Sequence, residues 1–150
     1  MRLTIFTDYS LRVLMYLGAH RADPRLATIN DVAGAYGISE NHLMKVVHHL
    51  AQRGYVETTR GKGGGMRLAK APASINLGQV LRDAEEDFAI VECFQEGNSN
   101  CPIMPACNLI PILARAMKAF FDVIDAHTLA DLLRGEEKLI RIFRVTRASG

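Results

Sequence analysis

Three cysteines lie close together in this chain, and they are the residues with the most specific chemistry. Cys93, Cys101 and Cys107 are all the cysteines present, spaced C-x7-C-x5-C within fifteen residues. Packing rarely gathers every thiol of a chain in one short segment, whereas a metal ion or an iron–sulfur cluster needs several thiolates at one point. Gly97 and Asn98, between the first two cysteines, are residue types that bent backbone tolerates. The spacing therefore predicts a sensing or cofactor site.

Other kinds of site could also use three cysteines. A structural zinc site usually has four Cys or His ligands, often in close C-x2–4-C pairs, and the sequence has no such pair. Electron-carrier clusters normally take four cysteines. Structural zinc and a metal-free redox thiol sensor remain open. No Ser-His-Asp arrangement, paired-carboxylate site or nucleotide motif indicates an enzyme, and the run Glu85-Glu86-Asp87 is typical of a solvated acidic turn.

Length and composition limit the class of protein. A chain of 150 residues forms one domain, or one domain with an appendage. The net charge of +2 does not indicate nucleic acid by itself, while 49% hydrophobic residues suffice for a core and an apolar surface. The first residues do not resemble a signal peptide, and no run reaches the ~18 apolar residues of a membrane span. These features predict a cytoplasmic protein without a membrane partner, in which reduced thiols ligate rather than pair.

The N-terminal third has the pattern of three helices. Apolar residues recur at helical spacing between Asp8 and His20, and again after Thr28, whose Thr-x-x-Asp pattern favours a helix start. Gly37 suits a sharp helix end, Ile38 can fill the turn, and Ser39 can cap a third helix. That helix runs from about residue 40 to 53 and has a predicted buried stripe of Leu43, Val46, Val47 and Leu50. Two short helices joined at a glycine turn predict a helix-turn-helix.

The third helix, the recognition helix, carries polar side chains opposite its apolar stripe. They are Asn41, His42, Lys45, His48, His49 and Gln52. A solvated surface is the plain interpretation of such a face. The segment that follows favours DNA instead, with Asn41, His42 and Lys45 in the first turns where bases are read, Ser39 near a phosphate, and His48 further along.

A basic glycine hairpin follows the recognition helix directly. Residues 55–59 and 66–69 alternate as two strands around the tip Arg60-Gly61-Lys62-Gly63-Gly64-Gly65. A phosphate-binding loop is disfavoured because the G-x-x-x-x-G-K-[ST] spacing is absent. The arrangement predicts a winged helix, in which Arg60, Lys62 and Arg67 contact the DNA backbone or minor groove.

The segment from Asn108 to Ala126 predicts a helix that is too apolar for one small domain to bury. Its polar members form one narrow stripe, namely Arg115, Lys118, Asp122 and Asp125. A central helix of a monomer is possible, but a two-fold homodimer covers this surface more simply. Such a dimer would match a pseudo-palindromic double-stranded DNA operator.

These elements predict a mainly α fold with a small β-hairpin wing, plus a long dimerisation helix. The predicted units are a winged helix-turn-helix domain at 1–84, a cluster-binding loop at 85–107 (the cysteine segment), and the dimerisation helix with a C-terminal tail at 108–150. A helix from Asn76 to Ala84 closes the first unit.

Three motifs together resemble NsrR-type repressors, in the bacterial winged-helix family that also contains IscR. They are the runs 39–47 (SENHLMKVV), 59–65 (TRGKGGG) and 101–107 (CPIMPAC), and the resemblance covers essentially the whole chain. It implies a dimeric repressor with an iron–sulfur cluster on Cys93, Cys101 and Cys107. Nitric oxide would attack the cluster and release the operator.

The resemblance also implies a fourth ligand. Asp8 stands where such proteins can supply an aspartate from the partner subunit, and Arg12 lies one turn on to pair with it. Ile110 occupies the place of the histidine that IscR-like members use, and spacing does not favour His20 or His127. A 4Fe–4S cluster is favoured, with 2Fe–2S as the alternative. Sensing of iron–sulfur status or redox state, or a zinc-stabilised DNA-binding protein, are the alternative functions.

Overall fold

The structure is a computed structural model that describes residues 2–95, 97 and 100–148. Glu96, Asn98 and Ser99, part of the predicted bent loop, lie outside the described residues. The elements follow in the order α1 (Ile5–Ala19), α2 (Ile29–Tyr36), α3 (Glu40–Gln52), β1 (Val56–Thr59), β2 (Gly65–Leu68), α4 (Leu77–Ala84), α5 (Leu109–Asp125), α6 (Leu129–Leu132) and α7 (Glu136–Ala148). The predicted fold class, mainly helical with a small hairpin wing, is confirmed.

The helix-turn-helix forms where its local signals predict it. The Thr28 hydroxyl accepts a hydrogen bond from the Asp31 amide (3.1 Å), and the Asp31 carboxylate accepts one from the Thr28 amide (2.8 Å), a complete capping box for α2. Gly37 then takes φ +65°, the left-handed region that ends a helix sharply. Ile38 is buried behind the turn. The geometry between α2 and α3 is therefore set within a few residues.

Ser39 occupies the cap position of α3 but does not cap it with its side chain, so that part of the prediction is wrong. Its carbonyl instead accepts hydrogen bonds from the amides of His42 and Leu43, each at 3.1 Å. The Ser39 side chain stays exposed at the start of α3.

Gly34 and Gly37 differ in backbone conformation, although a side chain would have room at both positions. An added Cβ meets nothing within 4 Å at either Gly34 or Gly37, but only Gly37 has a positive φ. We expect Gly37→Ala to lower the free energy of unfolding by about 1–2 kcal/mol. Gly34→Ala, inside α2, should raise it by about 0.5–1 kcal/mol because alanine favours the helix. Urea unfolding at one fixed protein concentration measures both, and shifts of the same sign would contradict this account.

The core lies between α1, α3 and the base of the wing. The predicted stripe of α3, Leu43, Val46, Val47 and Leu50, is buried throughout, together with Leu14 and Tyr16 of α1. Burial of a side chain of this size stabilises the fold by about 1.5–3 kcal/mol. The opposite face of α3 is consequently fixed toward solvent.

The wing is a short antiparallel hairpin that Ala27 braces along β2. Val56 pairs with Leu68 and Glu57 with Arg67. Met66 is buried, and its amide and carbonyl exchange hydrogen bonds with Ala27 (2.7 and 3.1 Å). Met66 is only one residue from the tip end of the hairpin, so Ala27 braces β2 close to the residue 60–64 tip.

The chain returns to the core after α5. Leu129 of α6 is fully buried, and the Phe143 ring of α7 lies 5.2 Å from Tyr16 and 5.1 Å from Tyr36. Sequence patterns predicted only a tail here, so these two helices are a finding of the structure. The division at residues 84 and 107 stays a prediction.

Helix α5 leaves much of its apolar surface exposed. Within α5, all of which the structure describes, no residue is buried. Leu109, Ile112 and Val123 are 54%, 52% and 60% exposed. The predicted excess of apolar surface is thus present. Among the residues that the structure describes, no helix is long and apolar enough to cross a membrane.

Candidate nucleic-acid interface and cysteine segment

The outer face of α3 presents the predicted reading residues together. Ser39, Asn41, His42, Lys45 and His48 are all exposed. The His42 ring also lies 6.2 Å from the Tyr9 ring of α1, so it packs partly on its neighbour. Amide, imidazole and ammonium groups on one protruding helix can reach base edges and phosphates.

His49 does not belong to this face, contrary to the sequence interpretation. Its ring meets the Phe6 ring edge-on at 5.3 Å, and its Nε2 is buried without a hydrogen-bond partner among the described residues. The spacing of α3 signals this, because His49 lies three residues after the buried Val46 and therefore borders the apolar stripe. His49 therefore packs α3 on α1.

The predicted wing cations are exposed but differ in environment. Arg60 and Lys62 lie in the tip between the strands. Arg67 on β2 donates to the Glu57 carboxylate across the hairpin, with Nε and Nη2 both 3.0 Å from Oε2. Glu57 offsets part of the Arg67 charge, so the tip residues offer the more available cations to a phosphate backbone.

The cysteine segment consists mostly of turns. Cys93 lies in a 3-10 turn (Glu92–Phe94), and Cys107 ends another (Met104–Ala106) immediately before α5. Cys93 and Cys107 are half-buried, Cys101 is exposed, and all three thiols are free. Within the described residues, no group of three or more His, Cys, Asp or Glu side chains is placed to hold a metal ion. The structure brings the cysteines into one segment but not to one point.

The donor chemistry of this segment fits an iron–sulfur cluster. Three free, partly exposed thiols on short turns supply the soft ligands that iron–sulfur centres take. The Met104 amide donates to the Cys101 carbonyl (3.1 Å) and the Cys107 amide to the Met104 carbonyl (3.3 Å). These bonds link the last two cysteines by consecutive turns that local rotation can adjust.

Asp8 lies in the first turn of α1. Its carboxylate pairs with Arg12 at 2.9 Å, as predicted, and the side chains are 47% and 41% exposed. The Arg12 guanidinium also lies 5.6 Å from the centroid of Tyr36, whose pKa burial raises to about 12. Asp8 is thus an oriented and accessible carboxylate.

The start of α1 contacts the start of the cysteine segment. The Thr4 amide and hydroxyl both donate to the Glu85 carboxylate, at 2.7 and 3.1 Å. An open cavity of about 1150 Å³ lies at this junction, bounded by Phe6, Arg53 and Phe88 among others. The sequence interpretation treated Glu85 only as part of an acidic turn.

Sequence reasoning missed two charged residues of α4. Arg82 donates from both terminal guanidinium nitrogens to Asp125 of α5 (2.6 and 2.8 Å) and lowers the pKa of that carboxyl. Asp83 accepts a 2.5 Å hydrogen bond from Tyr55, and burial together with this bond raises the pKa of Tyr55. Because these partners are distant in sequence, no local signal could have identified them.

Comparison with known proteins extends over nearly the whole chain. The Rrf2 family, described as iron-dependent transcriptional regulators, matches residues 3–135. The HTH-type transcriptional regulator NsrR of Bacillus subtilis (strain 168) is 48% identical over 145 residues, 97% of this chain and 99% of that protein. NsrR of Geobacillus kaustophilus (strain HTA426) is 46% identical over 147 residues, 98% and 99% of the two chains. The predicted resemblance to NsrR-type proteins is confirmed.

Solved structures agree on the fold. T. potens IscR superposes with a TM-score of 0.69 at 22% identity, over 92% of this chain and 90% of that one. CymR, the global cysteine regulator of B. subtilis, superposes with a TM-score of 0.67 at 24% identity, over 88% of this chain and 95% of that one. The solved structures show the shared fold, and the sequence matches show the family. The relatives are transcriptional regulators and not enzymes. This chain belongs to the Rrf2 family of transcriptional regulators.

Proposed function

We propose that this chain is a dimeric transcriptional repressor that senses nitric oxide through an iron–sulfur cluster, a 4Fe–4S cluster in preference to 2Fe–2S. The observation that carries the proposal is that three free thiols occupy one short turn-rich segment joining α4 to α5. That segment connects the winged helix to the proposed dimer helix. The resemblance to NsrR-type repressors supports nitric oxide as the signal. Because the proposed partner is DNA, the protein would act in the cytoplasm.

The DNA-reading role rests on α3 and the wing. In a helix-turn-helix the first turns of the recognition helix reach base edges in the major groove. Asn41, His42 and Lys45 occupy those turns here and are exposed. Arg60 and Lys62 extend beside them toward phosphates. Two copies related by a two-fold axis would read the halves of a pseudo-palindromic operator.

The dimer role rests on α5. Its outward apolar residues need a cover that the described part of this chain does not provide. A second copy gives a closed two-fold interface and places two recognition helices at a fixed separation.

The response rests on ligands from two subunits. Cys93, Cys101 and Cys107 would hold the cluster from one subunit, and Asp8 would bind from the other. When bound, the cluster supplies iron that reacts with nitric oxide. A carboxylate is a harder ligand for iron than a thiolate and is displaced more readily. Loss of the Asp8 contact, or of the cluster, removes a link between subunits and changes the spacing of the two α3 helices, which lowers operator affinity.

Replacing Lys45 by Gln should weaken operator binding, and the salt dependence shows whether Lys45 contacts a base or a phosphate. If Lys45 neutralises one phosphate, the slope of log K against log salt should become shallower by about 0.9. Fluorescence anisotropy at several salt concentrations measures it, with Lys138→Gln on α7 as a charge-matched control. An unchanged slope would remove Lys45 from the phosphate contacts.

Replacing Asp8 by Ala should change the visible spectrum of the anaerobic protein and its sensitivity to nitric oxide. We expect at least about 10-fold weaker cluster retention, because loss of a group that only orients a metal ligand already costs about that much. Asp23→Ala, in an exposed loop, is the matched control. Identical spectra and an identical nitric-oxide response would exclude Asp8 as a ligand.

A second candidate is an iron-supply or redox sensor built on the same site, favoured by the iron-dependent description of the family. A zinc-stabilised DNA-binding protein is the remaining alternative. Anaerobic purification followed by iron, sulfide and zinc analysis separates the cofactors. We expect brown protein with equal amounts of iron and sulfide. The ratio of iron to protein chain gives the cluster type. Colourless protein containing zinc, or no metal, would overturn it.

A further inference from the structure

We propose that the adjacent residues Arg82 and Asp83 of α4 act as positioning residues that couple α5 to the DNA-reading elements. Arg82 holds α5, and Asp83 holds the end of the recognition helix and the base of the wing. This coupling rests on the proposed function, because it describes how a change at the cysteine segment reaches α3.

The first contact is between Arg82 and the last turn of α5. Its guanidinium binds both Asp125 carboxylate oxygens, at 2.6 and 2.8 Å, and lies 4.2 Å from the centroid of the Phe121 ring. Asn76, the cap of α4, donates to the Asp125 carbonyl at 2.7 Å. A bidentate ion pair stacked on a ring fixes direction as well as distance. The end of α5 therefore has one defined orientation on α4.

Gly78 makes this close contact possible. A Cβ built at Gly78 would lie 1.7 Å from Asp125 Oδ1 and 2.9 Å from Arg82 Nη1. Only a residue without a side chain leaves room for the carboxylate at that place. The α4–α5 contact thus depends on Gly78, one helical turn before Arg82.

The second contact is between Asp83 and the junction of α3 with β1. Tyr55, which precedes β1, donates to Asp83 Oδ2 at 2.5 Å, and Arg53, which follows α3, lies 3.6 Å from Oδ1. The Asp83 side chain is 17% exposed, whereas Arg82 is 40% exposed. One carboxylate thus touches both DNA-reading elements where they meet.

The cysteine segment contacts the same α5 surface. The Phe88 ring meets Phe121 edge-on at 4.8 Å, and Phe88 lies five residues before Cys93. Phe121 in turn lies beneath Arg82. A rearrangement of the segment therefore acts on the ring that supports the Arg82–Asp125 pair.

The Arg82–Asp125 ion pair is exposed, which favours a positioning role over a stabilising one. Exposed ion pairs contribute little to the free energy of folding. Arg82 on one side of α4 and Asp83 on the other instead set the angle between α5 and the DNA-reading elements, α3 and the wing. Because α4 is a single short helix, movement of its Arg82 side carries its Asp83 side with it.

Asp125→Asn tests the coupling in the full-length protein, with Asp122→Asn as a matched control. Asp122 lies one turn earlier on the same helix and pairs with Lys118 of α5, not with α4. Operator affinity is measured before and after nitric oxide, and the ratio reports the coupling. We expect Asp125→Asn to reduce the ratio at least about fivefold, the lower end of typical coupling between sites. Asp122→Asn should retain the wild-type ratio.

Gly78→Ala is the second variant, because it displaces Asp125 without removing a charge. Alanine favours helices, so α4 itself should persist. We expect the same reduction of the ratio as in Asp125→Asn. Wild-type ratios in both variants would overturn the proposal.

Amide hydrogen exchange over residues 50–59 gives a readout that needs no nitric oxide. If α5 positions the junction, Asp125→Asn should speed amide exchange there by at least about fivefold, the lower end of typical coupling between sites, and Asp122→Asn should not. If the wild type itself fails to respond to nitric oxide, the proposed function falls, and exchange alone decides the coupling. Unchanged exchange in Asp125→Asn would then overturn it.

Discussion

Replacing any one of Cys93, Cys101 and Cys107 by Ala is expected to remove the iron and sulfide of the anaerobic protein and to release the operator. Each cysteine supplies one of only three thiolates, so a single loss leaves too few ligands. We expect operator affinity to fall by about 10- to 100-fold, within the range typical of coupling between sites. Metal and sulfide analysis with operator titration measures the effect.

Asn100→Ala provides the control for the cysteine variants. Asn100 is exposed beside Cys101 and has no thiolate, so its replacement should retain both cluster and binding. None of the three cysteines is in the buried core, so the variants should fold as the wild type does, which circular dichroism can check. A cysteine variant that binds and releases DNA normally would contradict the account.

Placing a carboxylate on the apolar face of α5 should convert the dimer to monomer. Ile112 and Val123 are separated by three helical turns and lie on one face, both exposed in the single chain. Ile112→Asp loses about 1.5–3 kcal/mol of apolar burial per subunit and adds the cost of a buried charge. Without the second subunit, operator affinity should fall by about 10²- to 10⁴-fold. Sedimentation velocity and operator titration measure the two effects.

Arg115→Asp is the matched control for this variant. It introduces the same side chain on the polar stripe of α5, where it should remain solvated in the dimer. A dimer that survives Ile112→Asp with wild-type operator affinity would exclude this face as the interface.

The winged helix could be predicted because its signals are local. The capping box of Thr28 and Asp31, the left-handed Gly37 and the spacing of Leu43, Val46 and Leu50 each act within a few residues. The wing likewise follows from alternation around a glycine-rich tip. Interactions of this kind are encoded in short stretches of sequence, so pattern and structure agree.

The features that could not be predicted depend on contacts between distant segments. The burial of Leu129 and Phe143 places α6 and α7 on the core, although their sequence reads as a tail. Arg82 and Asp83 read as an ordinary helix surface until Asp125 and Tyr55 are brought beside them. For the candidate site, the three cysteines were enough to predict cofactor chemistry. Their positions relative to one another could not be predicted, because they lie in a segment made mostly of turns.

A nitric-oxide titration of anaerobic protein bound to its operator, with visible absorbance and binding followed in one sample, determines whether the cluster controls DNA binding. We expect cluster absorbance and operator binding to decline together, at the same ratio of nitric oxide to chain. Protein free of iron and sulfide that still binds and releases the operator normally would contradict this expectation, as would binding that persists after the cluster absorbance is gone.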